Sequence, residues 1–185
     1  MNIKIGNGYA LRDWASAWNE GDQGRWVAFA DDYDIWVNLD DSFPHPYTRK
    51  DAEDWVALQS AKDPPEHFAI CDATGLIGGI GVNTERGDAP GSAELGYLVG
   101  KPLWGRGIAT AAVMVVTEYG FETLRLDRIF ARVKVSNVAS VRVLEKVGYQ
   151  RQELEPGATS SPGARADYMV FAMGREGWPD VRPCS

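Results

Sequence analysis

Histidine and cysteine are scarce in this chain of 185 residues, which holds two of each. His45 and His67 are too few for an imidazole-based metal centre or a histidine-based triad. Cys71 and Cys184 form neither a metal-ligand cluster nor a disulfide framework, and both read as free thiols. No apolar run approaches the ~18 residues of a membrane-spanning helix, and Met1-Asn2-Ile3-Lys4 lacks a signal-peptide core. A cytoplasmic protein without membrane contact is therefore expected. Basic excess is missing too: 19 Lys and Arg face 26 Asp and Glu, a formal net charge of −7. That balance speaks against nucleic-acid binding through a broad basic face and suits cationic partners. No internal repeat is evident.

What is present is an ordinary globular composition, 44% hydrophobic, 24% charged and 11% aromatic, in a length that fits one domain. The domain is expected to cover residues 1–175, followed by a loose tail, 176–185, carrying Pro179 and Pro183. Thr48 and Asp51 form a capping-box variant at the start of a helix running towards Ala61. Residues 67–71 and 76–82 flank the short turn Asp72-Ala73-Thr74-Gly75 and predict an antiparallel hairpin. A polar loop leads to a strand over 93–99. Residues 155–164 read as a loop rich in Gly, Pro, Ser and Thr, and 166–173 as a closing strand.

The chemistry is concentrated after the 93–99 strand. Gly100-Lys101-Pro102-Leu103-Trp104-Gly105-Arg106-Gly107-Ile108-Ala109-Thr110 reads as a glycine-rich turn opening a helix, in which Ile108, Ala112, Val115, Val116 and Tyr119 recur at helical spacing. The first turn of a helix has four N–H groups without an intrahelical partner and about half a positive charge, so phosphate is its natural occupant. Gly105 and Gly107 let a ligand approach the main chain. A P-loop is dismissed, because Lys101 precedes Pro102 instead of Ser or Thr. A dinucleotide fingerprint lacks its third glycine, replaced by Thr110, and its acidic residue, since the next strand ends in Val133-Lys134-Val135. A purely structural glycine turn is the remaining competitor.

The second half of the constellation weighs against that competitor. Ile129, Ala131, Val133 and Val135 alternate as in a half-buried strand, and Ser136-Asn137 caps a short helix, Val138 to Val147, stopped by Gly148. Strand, anion turn, helix, strand and capped helix ending in Gly148-Tyr149 is a specific order.

At these residues the chain resembles the GNAT superfamily of N-acetyltransferases, in particular the ribosomal-protein-alanine N-acetyltransferase-like branch. Trp104-Gly105-Arg106-Gly107-Ile108-Ala109 carries the pyrophosphate motif, with Trp104 where the superfamily usually has Gln or Arg, and residues 137–149 carry the second motif. Weaker likeness runs through Leu11-Arg12-Asp13-Trp14, residues 43–48, Phe68-Ala69-Ile70 and Ile77-Gly78-Gly79-Ile80. The resemblance implies an α/β (α+β) fold, a mixed, mostly antiparallel sheet of about seven strands with a splayed central parallel pair, flanked by helices.

It also implies acetyl-coenzyme A as cosubstrate, no metal, and an amine acceptor that is a protein N-terminus or a small cationic amine. A homodimer is left open. Residues 105–110, with the Thr110 hydroxyl, would hold the pyrophosphate, and Trp104 belongs to the same motif. Leu98 and Val99 would meet the thioester and pantetheine arm. Asn137 would bond the pantetheine or serve only as an N-cap, and Ser140 is the candidate acid for the departing thiolate, with Tyr168 or water as alternatives. Glu94 is the candidate general base, set by strand alternation away from the apolar face, or else a surface ion-pair partner. Trp36, Asp41, His45 and Tyr47 lie in the region that lines the acceptor site in similar proteins.

Attack on a thioester needs a neutral amine. At pH 7 an α-amine costs about 1.4 kcal/mol to deprotonate and a lysine about 4.6, so an α-amine needs only a modest base. The absence of an apt cysteine favours direct attack in a ternary complex over an acetyl-enzyme. The alternative function is a non-catalytic acyl-coenzyme A-binding sensor of the same fold.

Overall fold

The computed structural model describes residues 2–40, 42–159 and 165–178. In chain order its elements are β1 (Asn2–Gly6), β2 (Tyr9–Asp13), α1 (Trp14–Ala17), α2 (Glu20–Ala30), α3 (Tyr33–Trp36), α4 (Arg49–Ser60), β3 (His67–Asp72), β4 (Gly75–Asn83), β5 (Ser92–Val99), α5 (Ile108–Glu122), β6 (Arg128–Lys134), α6 (Val138–Val147), β7 (Gln150–Thr159) and β8 (Arg165–Gly174). The strands form one sheet in the order β1-β2-β3-β4-β5-β6-β8-β7, eight where about seven were expected. The extra strand is β1, which pairs with β2 across Asn7 and Gly8; Ile3 and Ile5 do alternate with polar residues, but five residues are too short a run to stand out.

Every neighbouring pair is antiparallel except β5 and β6. That parallel pair is short. Ser92, Ala93 and Glu94 match Arg128, Ile129 and Phe130, and beyond them the strands separate while β5 stays on β4 and β6 stays on β8. The sheet therefore opens into a wedge bordered by residues 95–99 and 131–134, with the N-termini of α5 and α6 next to its mouth.

Two cores hold the wedge in place. On one face Leu11, Phe68, Ile80, Leu95 and Val99 pack against Ile108, Ala112, Val113 and Val116 of α5 and Leu144 and Val147 of α6. The other face carries a smaller aromatic core of Trp14, Trp26, Tyr47, Val56 and Leu76 beneath α1, α2 and α4. Alternation along β5 assigns Leu95, Tyr97 and Val99 to the first face and Leu98 to the second. Local signals set the helix ends. Thr48 and Asp51 make both bonds of a capping box, a feature whose loss costs about 1 kcal/mol, and Gly148 at φ +96 closes α6.

Two segments differ from the sequence expectation. Residues 155–159, read as loop, continue β7: the strand accommodates Gly157 (φ +65) by a register shift, and Asp167 accepts the Gly157 N–H at 2.9 Å. The rest of that expected loop, 160–164, lies outside the described residues. The C-terminal region stays with the fold through Trp178, which is 3% exposed and packs on Phe121 at 6.1 Å between ring centroids. The remainder of the expected tail, with Pro179, Pro183 and Cys184, lies outside the described residues.

Candidate active site

The glycine-rich turn leaves its main chain open. Gly105 and Gly107 take φ of +77 and +78, and a Cβ added at either would meet nothing within 4 Å. Glycine is there for the left-handed conformation and for open main chain, not for tight packing. Gly107 is the N-cap of α5 and offers no side-chain cap; the first turn contains no acidic residue. Among the described residues no acceptor takes a main-chain N–H from residues 105–110, whereas the next amide, Ala111, bonds the Gly107 carbonyl at 3.0 Å. Thr110 is half-buried at this end, Ile108 and Ala109 anchor the helix in the core, and Arg106 is exposed. Lys101 is ion-paired with Asp34 of α3, fixing the entry to the turn.

The wedge lies beside this turn. Gly100 N–H bonds the Ile77 carbonyl of β4 at 2.9 Å, so by strand alternation the N–H and C=O of Val99 face away from β4, into the wedge. Trp104 Nε1 donates to that carbonyl at 2.7 Å, although its ring is 47% exposed. From the opposite side, Asn137 caps α6 by accepting the Ser140 N–H at 3.1 Å, which leaves its Nδ2 as a donor. Ser140 is half-buried in the first turn of α6. Tyr97 spans the gap, and its hydroxyl donates to the Ser140 carbonyl at 3.4 Å. Leu98, on the other face, packs at the edge of the smaller core.

Glu94 marks the apex of the wedge, the last residue of β5 paired with β6. It is on the face opposite α5, and 17% of its side chain is exposed. Burial raises its pKa, and the Arg86 charge works against that rise. Arg86 binds Asp40 at 2.6 Å, Ser42 Oγ at 2.9 Å and Glu94 at 3.5 Å, tying the loop after α3 to the sheet. Burial pushes the Asp40 carboxyl up, but hydrogen bonds from Ser42 and Arg86 outweigh it and leave the group below its ordinary value. Further along this face Arg132 pairs with Glu155 at 2.6 Å, and the 4%-exposed Lys134 donates to the Val37 carbonyl. These cations temper the acidic acceptor side that composition suggested.

The other predicted acceptor residues separate into three groups. Trp36 stacks on His45 at 4.2 Å, with Trp36 Nε1 donating to the Phe43 carbonyl and His45 beside Asp31 at 3.2 Å. Tyr47 is buried in the smaller core, its hydroxyl accepting from Trp26 Nε1 at 3.3 Å, so it packs under the loop. Asp41 lies outside the described residues. Tyr168 is buried beside Lys134 and under the Arg132 guanidinium. Sequence reasoning missed Arg86, Arg132 and Lys134, since ion pairs between residues as distant as 40 and 86 leave no local pattern. Tyr97 was missed as well, although its alternation with Leu95 and Val99 was a signal that could have found it.

Comparison with known proteins supplies an independent line. Residues 14–150 match the family described as acetyltransferase (GNAT) domain. The probable N-acetyltransferase YjcK of Bacillus subtilis is 36% identical over 114 residues, 60% of this chain and 63% of that protein. The chain spans 47% and 63% of the lengths of two such curated relatives. Among solved structures, Mycobacterium smegmatis RimJ in complex with CoA-disulfide superposes with a TM-score of 0.78 at 23% identity, covering 92% of this chain and 84% of that one. Spermidine N-acetyltransferase from Vibrio cholerae, in complex with CoA and spermine, gives 0.75 at 21% identity, covering 94% and 99%.

Proposed function

The chain belongs to the GNAT acetyltransferase family, and from that membership we propose that it transfers an acetyl group from acetyl-coenzyme A to a primary α-amine by direct attack in a ternary complex. The observation that carries this reading is the run of unpartnered main-chain N–H groups at 105–110 beside a wedge in the sheet. A diphosphate satisfies those donors, and the wedge is open main chain to which an extended arm can bond. The residues fit the coenzyme on chemistry alone: bare glycines, a helix start free of acid, and Arg106 at the rim.

In this reading each residue of the site has a role. The amides at 105–110 and the Thr110 hydroxyl hold the pyrophosphate; Asn137 Nδ2 and the wedge-facing edge of β5 near Leu98 and Val99 hold the arm. The Val99 N–H would meet the thioester carbonyl oxygen as it gains charge, and Trp104 fixes that peptide through its carbonyl. Glu94, its pKa raised by burial, takes the proton of the incoming amine directly or through water. Ser140 would be the donor to the departing sulfur from the first turn of α6.

An α-amine is favoured over a lysine or a polyamine for two reasons. It needs only about 1.4 kcal/mol of deprotonation at pH 7. The carboxylates Asp40, Glu94 and Glu155 are also engaged by Arg86 and Arg132 and are not displayed free to a polycation. The test is release of free thiol from acetyl-coenzyme A with peptides bearing N-terminal Ala or Ser, free amino acids and spermidine. Turnover with the first two classes supports the reading. Coenzyme binding without thiol release on any amine would make the protein an acyl-coenzyme A sensor.

A further inference from the structure

Once the wedge is taken as the place where a thioester is cleaved, one group facing it has no role yet. Collapse of the tetrahedral adduct breaks the C–S bond and leaves the electron pair on sulfur, so a donor aimed at that sulfur stabilises the step. In α6, Ser140 is the one residue with a hydroxyl; Leu144, a turn further on, is fully buried in the core. The strand opposite supplies a second hydroxyl, that of Tyr97.

Tyr97 lies beyond Glu94, where β5 has left β6, and is only partly covered. It stands two residues from Val99, so its main chain faces the wedge in the same sense, and its side chain reaches across to the first turn of α6. The contact it makes there, 3.4 Å to the Ser140 carbonyl, is well beyond the usual ~2.7–2.8 Å for O–H···O. Its neighbour Tyr149 differs: that hydroxyl is locked to Thr117 Oγ1 at 2.7 Å in a buried pair. The Tyr97 hydrogen is therefore loosely held and free to be redirected. Burial pushes this phenol up to about 12, which keeps it protonated throughout the working pH range.

We propose that Tyr97 Oη donates a hydrogen bond to the coenzyme sulfur as the C–S bond breaks, a catalytic contact made from the strand side of the wedge that complements Ser140 on the helix side. The assignment rests on the function proposed above. Tyr97 keeps its proton: the proton shed by the amine leaves through Glu94 to solvent, and the thiolate takes one from solvent on release.

Titration of the thiol in the protein–coenzyme A complex, followed by the ultraviolet absorbance of the thiolate, reads this contact without any acceptor. A hydrogen bond to a charged sulfur lowers its pKa, so the Tyr97→Phe complex should titrate about one pH unit higher than the parent complex. Site-specific replacement of Tyr97 by 3-fluorotyrosine, a stronger donor of nearly the same shape, should move the titration the other way and serves if the Phe variant loses its fold. An unmoved thiol in a folded, coenzyme-loaded variant overturns the assignment, as does a shift seen only in Ser140→Ala. A parent protein that binds no coenzyme A removes the function itself, a result distinct from binding with an unmoved thiol.

Discussion

Trp104 Nε1 and the Val99 carbonyl, 2.7 Å apart, tie the glycine turn to the strand that feeds it. Because Val99 presents its N–H on the same edge as its C=O, the indole also sets the direction of the amide proposed to face the thioester. The ring is half exposed, so the bond, not burial of the ring, is its main contribution.

Trp104→Phe keeps an aromatic ring and deletes the donor. A neutral hydrogen bond contributes about 1 kcal/mol, so coenzyme A affinity measured by calorimetry should fall about fivefold with little change in melting temperature. Wild-type affinity in this variant would remove the proposed link between turn and strand.

Gly107 separates strain from electrostatics. At φ +78 any side chain costs ~1–2 kcal/mol, yet its Cβ would point into open space, so variants should fold. Gly107→Ala should weaken coenzyme A by no more than about thirtyfold, the strain alone. Gly107→Glu sets a carboxylate against the diphosphate and should abolish measurable binding. Equal behaviour of the two variants would show that the turn does not grip an anion.

The turn, α5, β6 and capped α6 were legible in the sequence because each is written in local chemistry: glycines at 105, 107 and 148, an N-cap at 137, and alternation along 129–133. The wedge was legible only through the family resemblance, which implied a splayed parallel pair, since a strand pair that stops after Glu94 and Phe130 looks the same residue by residue as one that continues. The acceptor face was least legible. Arg86 reaches Asp40 and Glu94 across a folded loop, and Tyr47, an aromatic among candidate site residues, turns out to fill a core beside Trp26.

Glu94 should govern the acid side of the pH–rate profile. As the proposed base it acts deprotonated, so kcat/KM should rise with pH through its pKa, which burial has raised. Arg86 favours the charged carboxylate; Arg86→Met removes that pull and should shift the limb to higher pH. Glu94→Gln should lower kcat about tenfold at pH 7, the deprotonation cost of an α-amine, and leave only the amine's own limb near 8. Superimposable profiles for Glu94→Gln and the parent would exclude it as the base.

His67 tests the scaffold apart from the site. Its ring is largely enclosed at the start of β3, edge-on to Trp55 at 5.0 Å, and its Nδ1 is buried with no hydrogen-bond partner among the described residues. Burial drives its pKa down from 6.5 to about 4, so the folded state holds it neutral while the unfolded chain binds a proton. Above pH 6.5 this has no effect on stability. As pH falls from 6.5 towards 4 the unfolded state gains protons first, and ~3 kcal/mol of stability is lost. The lowered carboxyls Asp40 and Glu66 lose their contribution only below their unfolded values of 3.8 and 4.5, so they add little in this window. Glu94, raised by burial, acts in the opposite sense, which makes the comparison between variant and parent more telling than the absolute slope. His67→Gln has no titrating group there, and urea unfolding at pH 7.5 and 5 should show its stability falling less than the parent's. An equal drop in both proteins would mean that the imidazole charges freely within the fold.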